Sequence, residues 1–318
     1  MAESTDSGQS MVNNPEDKPD IKSGTDNPGG IKGLFNDYVT LTKPPIISLL
    51  LITAIGGMFL AAEGVPSLTT LLLVCVGGAL GAGGANAINH FLDQDIDAMM
   101  SRTIKRPVAS NRIPPMHALI FGIALNVGAF FVLTYWVNLI AAVLTLAATL
   151  FYVLVYTGWL KRNTPQNIVI GGAAGAIPPM VGWAAVTGSV DLPALYLFTI
   201  VFFWTPPHFW ALALMIQDDY KEAGVPMLPV VVGEERTVQN IFMYSLALIA
   251  LTILFTASDA VGLIYLGSAL ILGGFFLHLA WKLKRDYSLR RAKHLYLYSL
   301  LYLALLFAVM LVDSVFYF

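Results

Sequence analysis

The chain has 318 residues, of which 57% are hydrophobic and 12% charged, with a formal net charge of −2. A water-soluble domain carries about 25% charged residues, so this composition excludes one and predicts a polytopic membrane protein. The single cysteine, Cys75, excludes any intrachain disulfide.

Residues 1–33 differ from the rest. They are rich in Ser, Asp, Asn, Gly and Pro, and carry six acids against Lys18, Lys22 and Lys32. Such a segment cannot bury enough apolar surface to fold alone, so a disordered polar tail is expected, followed by one membrane domain over 34–318. The tail lacks the apolar run of a signal peptide and the Arg-rich, acid-poor makeup of a mitochondrial transit peptide, which favours a prokaryotic inner membrane.

From residue 44 onward, nine apolar stretches approach the roughly 20 residues needed to cross a bilayer. They lie at 44–64, 68–91, 115–135, 137–157, 166–186, 193–213, 241–257, 261–281 and 295–316. All 18 Lys and Arg fall in the tail or in the segments after even-numbered spans, whereas the other segments hold Glu63, Asp191, Asp259 and Asp313 and no basic residue. The positive-inside rule then predicts a cytoplasmic N-terminus and an outside C-terminus. The fold expected is all-α: nine transmembrane helices around a central cavity. Acidic motifs after spans 2 and 6 suggest two four-helix halves plus a ninth helix.

Span 2 contains GGALGAGGA at 77–85 and span 5 contains GGAAGAIPP at 171–179; small residues of this kind let helices approach closely. Span 2 ends in the first motif, NAINHFLDQDID. Residues four apart share one helix face, so Asn89, Asp93 and Asp97 form an oxygen-rich stripe. Hard oxygen ligands at this density suit Mg²⁺ carrying a phosphate substrate. Asp95 points elsewhere and acts behind the ligands. Arg102, Lys105 and Arg106 follow closely, and Arg102 and Arg106 are placed to hold phosphates. Lys161 and Arg162, after span 4, are explained equally by diphosphate contact and by topology alone.

Pro178-Pro179 and Pro206-Pro207 are expected to break the helix ladder in or near spans 5 and 6. His208 precedes Asp219 by 11 residues, three helical turns to within about 20°. On an unbroken helix it lies on the same face as Asp219, about 16 Å deeper. An ionisable group at that depth is a functional candidate, although a neutral histidine bonded between helices explains it as well. His90, His117, His278 and His294 lie near span ends, where interfacial placement suffices. Span 6 ends in the second motif, QDDYKE, with Asp218, Asp219 and Glu222 as further metal ligands.

These strings resemble the intramembrane aromatic prenyltransferases. The asparagine–aspartate–aspartate pattern at four-residue spacing is met by Asn89, Asp93 and Asp97. The second motif departs from that family's pair of aspartates four apart, since Glu222 follows Asp218 there. LTKPPIISLLLIT (41–53), DIDAMMSRTIKRP (95–107), YTGWLKRNTPQNIVIGGAAGAIPP (156–179), WTPPHFWALAL (204–214) and DDYKEAGVPMLPVV (218–231) are similar to its heme-farnesylating members.

The resemblance implies a Mg²⁺-dependent enzyme joining farnesyl diphosphate to a vinyl group of heme B, with water completing the product, heme O. It implies Mg²⁺ on Asn89, Asp93, Asp97 and Asp219, and diphosphate on Arg102, Arg106 and Lys161. Tyr220 would lie at the substrate, and Phe91, Tyr152, Tyr156 and Trp204 are further aromatic candidates. His208 would be an axial heme ligand. The expected partners are these substrates and the lipid bilayer, with handover to a heme-modifying enzyme or terminal oxidase and no nucleic acid. A quinone-precursor or chlorin acceptor is the nearest alternative. A cation or phosphate transporter would need charges deep in several spans, and a heme chaperone would not need two acidic motifs.

Overall fold

The computed structural model describes residues 30–317, and the expected tail lies outside them up to residue 29. Residues 30–33 open a helix, α1 (Gly30–Thr42), so the boundary expected at 33 falls within its first turn. Lys43 follows in the left-handed region (φ 55) and turns the chain into α2 (Pro44–Ala61). Two prolines at its first positions, which have no helical N–H partner to lose, start that helix cleanly.

The path continues through α3 (Leu68–Leu92), the short α4 (Gln94–Met99), α5 (Pro115–Trp136) and α6 (Leu139–Leu150). The latter runs on as a π-helix, Phe151–Leu160, into a last turn, α7 (Lys161–Asn163). Next come α8 (Asn167–Ala176), α9 (Pro178–Thr187), α10 (Leu192–Met215), α11 (Gln217–Glu222), α12 (Leu228–Leu254), α13 (Leu263–Arg285) and α14 (Leu289–Tyr317). No strand occurs among the described residues.

Nine of these helical stretches, counting α6 through α7 and α8 with α9 as one each, are long and apolar enough to span a membrane. They form a closed ring: α2 packs on α3, α3 on α5, α5 on α6, α6 on α9, α8 and α9 on α10, α10 on α12, α12 on α13, α13 on α14, and α14 back on α2. The fifth and sixth spans are the most enclosed. Contacts of α9 with α2 and α6 join the two expected four-helix halves, and α14, the ninth span, packs on α2 of one and α10 of the other.

The span limits depart from hydropathy where polar residues ride on a continuing helix. The seventh span starts at Leu228 rather than 241, because Glu234, Glu235 and Arg236 hide its first turns; Gly233 (φ 80) kinks it there. The fifth span does break at Ile177, just before Pro178-Pro179. Pro206 and Pro207, in contrast, lie inside an unbroken α10, contrary to the expected break.

The close approach expected of the small residues is realised. A Cβ on Gly182 would lie 1.9 Å from the Ala54 carbonyl oxygen, and one on Gly57 would lie 2.2 Å from that of Pro179. Backbone therefore meets backbone between α2 and α9, which lets dispersion act over many atom pairs without a side chain between. At the opposite end from the acidic motifs, Asp313 is buried and accepts the backbone N–H groups of Gly262 and Tyr265. It thus caps the N-terminus of α13, where the helix dipole favours an anion.

Candidate functional site

The first motif lies where α3 gives way to α4. Asp93 belongs to neither helix (φ −97, ψ 10), yet the Asp97 N–H still donates to the Asp93 carbonyl. The spacing of four therefore survives the junction, and Asn89, Asp93 and Asp97 are all buried. Buried carboxylates need matched charge, and each finds it from a different part of the chain. The Lys161 ammonium lies 2.6 Å from Asp93 Oδ2, and one Arg106 nitrogen lies 2.7 and 2.8 Å from the two oxygens of Asp97. Asn89 donates to Asp93 Oδ2 (2.6 Å) and Thr157 Oγ1 (3.2 Å), while its own oxygen accepts from the Lys43 ammonium at 2.7 Å. Among the described residues Asp93 Oδ1 has no hydrogen-bond partner, its nearest charge being the Arg162 guanidinium at 3.8 Å.

Lys43 was not among the residues singled out by sequence. The residue is half-buried just before α2, and its ammonium reaches into the cluster. Burial first, then the Arg106 charge, bring that ammonium down from 10.5 to about 7, against the opposing pull of Asp97 and Asp93. Arg106 and Lys161 match the two carboxylates, and Lys43 adds a third basic group beside Asn89, a charge pattern that favours an anion.

The second motif is built differently. The chain leaves α10 at Ile216 (φ −128) and starts the separate six-residue α11. Ser101 Oγ lies 3.0 and 2.8 Å from the two oxygens of Asp219 and donates its proton to that carboxylate, so the second motif meets the loop that follows the first. Asp218 and Glu222 are exposed and make no hydrogen bond or ion pair among the described residues, so the structure does not bring these two expected ligands into the cluster. Tyr220 is buried between the motifs; burial pushes its phenol up, against the pull of the Arg102 and Arg106 charges.

Among the other expected anion contacts, Arg102 and Lys105 are exposed with side chains free among the described residues. Arg162 grips Asp95 with two nitrogens, at 2.7 Å each, and donates to the Leu92 carbonyl at the end of α3. That grip holds the Asp95 carboxyl down at about 2. Arg162 therefore serves the α3–α4 corner, and its distance to Asp93 is 3.8 Å.

Tyr152 and Tyr156 stack on each other (5.5 Å between centroids) along the π-helix, a geometry frequent at functional sites. Phe91 is half-buried. His208 is buried within α10, its ring stacked between Trp204 at 4.4 Å and Tyr296 at 4.8 Å. Since the helix ends at Met215, the three-turn alignment with Asp219 does not carry across. His117, His278 and His294 are exposed, as interfacial placement requires, but His90 is buried with neither ring nitrogen hydrogen-bonded among the described residues.

No three of the His, Cys, Asp and Glu side chains among the described residues converge tightly enough to hold a metal ion unaided. The acidic donors come from two motifs, and Asp93 Oδ1 makes no hydrogen bond among the described residues. That set fits Mg²⁺, which takes one or two carboxylates and completes its octahedron with water and substrate phosphate.

Residues 50–313 match the UbiA prenyltransferase family. The chain belongs to that family. Among its relatives, a protoheme IX farnesyltransferase of Roseiflexus sp. (strain RS-1) is 55% identical over 286 residues, covering 90% of this chain and 54% of the relative. One of Picosynechococcus sp. is 50% identical over 283 residues, covering 88% of this chain and 89% of the relative. The chain thus spans about half the length of the first and most of the second. Two solved structures share the fold. Digeranylgeranylglyceryl phosphate synthase has a TM-score of 0.73 at 19% identity, covering 88% of this chain and 98% of the other. A UbiA homologue of Archaeoglobus fulgidus bound to GPP and Mg²⁺ has 0.63 at 17%, covering 86% and 99%. The nine-span UbiA architecture expected from sequence is what the chain adopts.

Proposed function

We propose that this protein transfers the farnesyl group of farnesyl diphosphate to a vinyl group of heme B with addition of water, giving heme O and diphosphate. The observation that carries the reading is the buried cluster in which Lys43, Arg106 and Lys161 surround Asn89, Asp93 and Asp97 while Asp93 Oδ1 makes no hydrogen bond among the described residues. Such a cluster takes a diphosphate and a hard cation together. The acceptor is read from the 50–55% identical relatives named protoheme IX farnesyltransferase.

Asn89, Asp93, Asp97 and Asp219 would hold Mg²⁺, which when bound supplies Lewis-acid stabilisation of the leaving diphosphate. The remaining work belongs to the chain. The cations of Lys43, Arg106 and Lys161 favour the departing anion as the allylic C–O bond breaks and its electron pair leaves with diphosphate. Arg102 and Lys105, unpaired at the rim, are available to the same anion. The aromatic faces of Tyr152, Tyr156 and Tyr220 suit the allylic cation left behind. The vinyl group attacks that cation, water adds to the carbon so exposed, and one proton is released. Because a vinyl group is a weak nucleophile, placement of the heme supplies much of the rate, and His208 is the candidate axial ligand that places it. Asp218 and Glu222 remain candidates only for the solvent side of the metal site.

This reading sets the acidic mouth at the cytoplasmic face of a prokaryotic inner membrane, where diphosphate and Mg²⁺ are available, with the C-terminus outside. The apolar product then suits direct handover to a heme-modifying enzyme or terminal oxidase. Incubating the purified protein with heme B, farnesyl diphosphate and Mg²⁺, and extracting the hemes for mass spectrometry, tests it. A hydroxyethylfarnesyl heme that disappears when Mg²⁺ is chelated is the expected result. Unchanged heme, with prenylation of a quinone precursor or chlorin instead, would overturn the acceptor.

A further inference from the structure

The surroundings of His208 hold more than the proposed reaction needs of a buried histidine. Its Nδ1 lies 2.7 Å from Ser299 Oγ on α14. That hydroxyl also donates to the Tyr296 carbonyl, three residues back, at 2.7 Å. A serine has one proton to give. With it committed to the Tyr296 carbonyl, the bond between Ser299 and His208 runs the other way: Nδ1–H donates and Oγ accepts. The imidazole is then the Nδ1–H tautomer, and its Nε2 carries a lone pair.

Ring orientation is fixed as closely as the tautomer. Trp204 stacks on His208 with an interplanar angle of 15° and Tyr296 with one of 23°. Trp204 Nε1 donates to the Ser299 carbonyl at 2.8 Å, tying the same turn of α14 to α10 a second time. One turn of α14, residues 296–299, therefore supplies a stacking ring, an acceptor for the histidine and an anchor for its other neighbour. Nε2 makes no hydrogen bond among the described residues, although His208 is only 5% exposed. The ring is thus bonded through Nδ1 alone, and Nε2 keeps its lone pair.

We infer that Ser299 is a positioning residue that fixes His208 in the Nδ1–H tautomer so that Nε2 can ligate the iron of a porphyrin. The inference rests on the proposed acceptor being heme and adds the group that orients the ligand. The pattern follows from general chemistry: an imidazole metal ligand is oriented by what its other nitrogen donates to, and loss of that partner costs about 10- to 100-fold in metal affinity.

The test is a ferric heme titration of the purified full chain, followed in the Soret band, for the wild type, H208A, S299A, S299T and the H208A/S299A double variant. H208A should lose the histidine-ligated spectrum. S299A should bind heme about tenfold more weakly, S299T should restore most of that loss, and S299A should add nothing in the H208A background. In a His208→Gly chain, free imidazole should return the ligated spectrum, an arm that does not depend on Ser299 variants folding. A wild-type spectrum in H208A, or an equal loss from S299A with and without His208, would overturn the inference. If the wild type farnesylates heme while H208A keeps the wild-type spectrum, only the ligand role fails. If the wild type neither binds nor alters heme, the acceptor reading fails and this inference with it.

Discussion

The two acidic motifs have nearly the same composition and opposite physical situations. Asn89, Asp93 and Asp97 are buried, and their oxygens meet cations from the start of α2, the loop after α4 and the end of the fourth span. Asp218, Asp219 and Glu222 ride on a six-residue helix detached from α10, and only Asp219 is turned inward, held by a neutral serine. A buried carboxylate without its cation is strongly unfavourable, whereas a hydrated one needs no partner. The first motif is thus a preformed half-site whose charges depend on one another. The second is a solvated half that contributes a single oxygen-bearing side chain across the mouth. Acid density in sequence does not distinguish these cases; burial and the source of countercharge do.

This asymmetry predicts unequal costs for chemically equal changes. Asp93→Ala should have the largest effect, lowering heme farnesylation on the order of 10³-fold and leaving the partly buried Lys161 ammonium without its partner. Chromatography of extracted hemes measures the first effect and a thermal melt in detergent the second; a D93A enzyme within tenfold of wild type would erase the distinction between the motifs. Asp219→Asn should cost less, about 10- to 100-fold, as expected for a single ligand position. Asp218→Asn and Glu222→Gln, being exposed and unpaired, should stay within about twofold. If Glu222→Gln matched Asp219→Asn, α11 would have to present its other face to substrate. Lys43→Ala should raise KM for farnesyl diphosphate about tenfold, the worth of one charge-assisted contact, with Lys43→Arg recovering part of it. A fall in kcat with unchanged KM would instead give Lys43 a role only as the diphosphate leaves.

What could be read from sequence was what is local. Nine spans followed from apolar runs, and contact between Asn89 and Asp93 followed from a spacing of four, which outlived the helix junction between them. Features fixed by distant partners were hidden. Lys43 meets Asn89 across 46 residues, His208 meets Ser299 across 91, and Ser101 meets Asp219 across 118; no periodicity encodes such pairs. The alignment of His208 with Asp219 failed at Ile216, an unremarked isoleucine, rather than at the two prolines that looked more disruptive. In that tightly packed helix the surroundings accommodate the missing N–H groups of Pro206 and Pro207. His90 looked interfacial because it sits near a span end, but that end of α3 is buried.

The smallest predicted effect sharpens the comparison from its own rim. Asp95 stands between Asp93 and Asp97 in sequence, yet its carboxylate is largely exposed and engaged by Arg162 rather than by the cluster. An exposed ion pair, even a two-pronged one, contributes little, so Asp95→Asn should change farnesylation by about twofold or less. Its pH signature is more telling than its size. The carboxyl is held at about 2, below its ordinary 3.8, so whatever the pair contributes is fully present above about pH 4. It is lost as pH falls toward 2. A melting series down that range should show wild type and D95N converging at the acid end and separating modestly at pH 5 and above. Separation that persisted at the lowest pH would mean that Asp95 supports the corner through packing, and that the line between the buried cluster and its solvated rim lies farther out than Asp93.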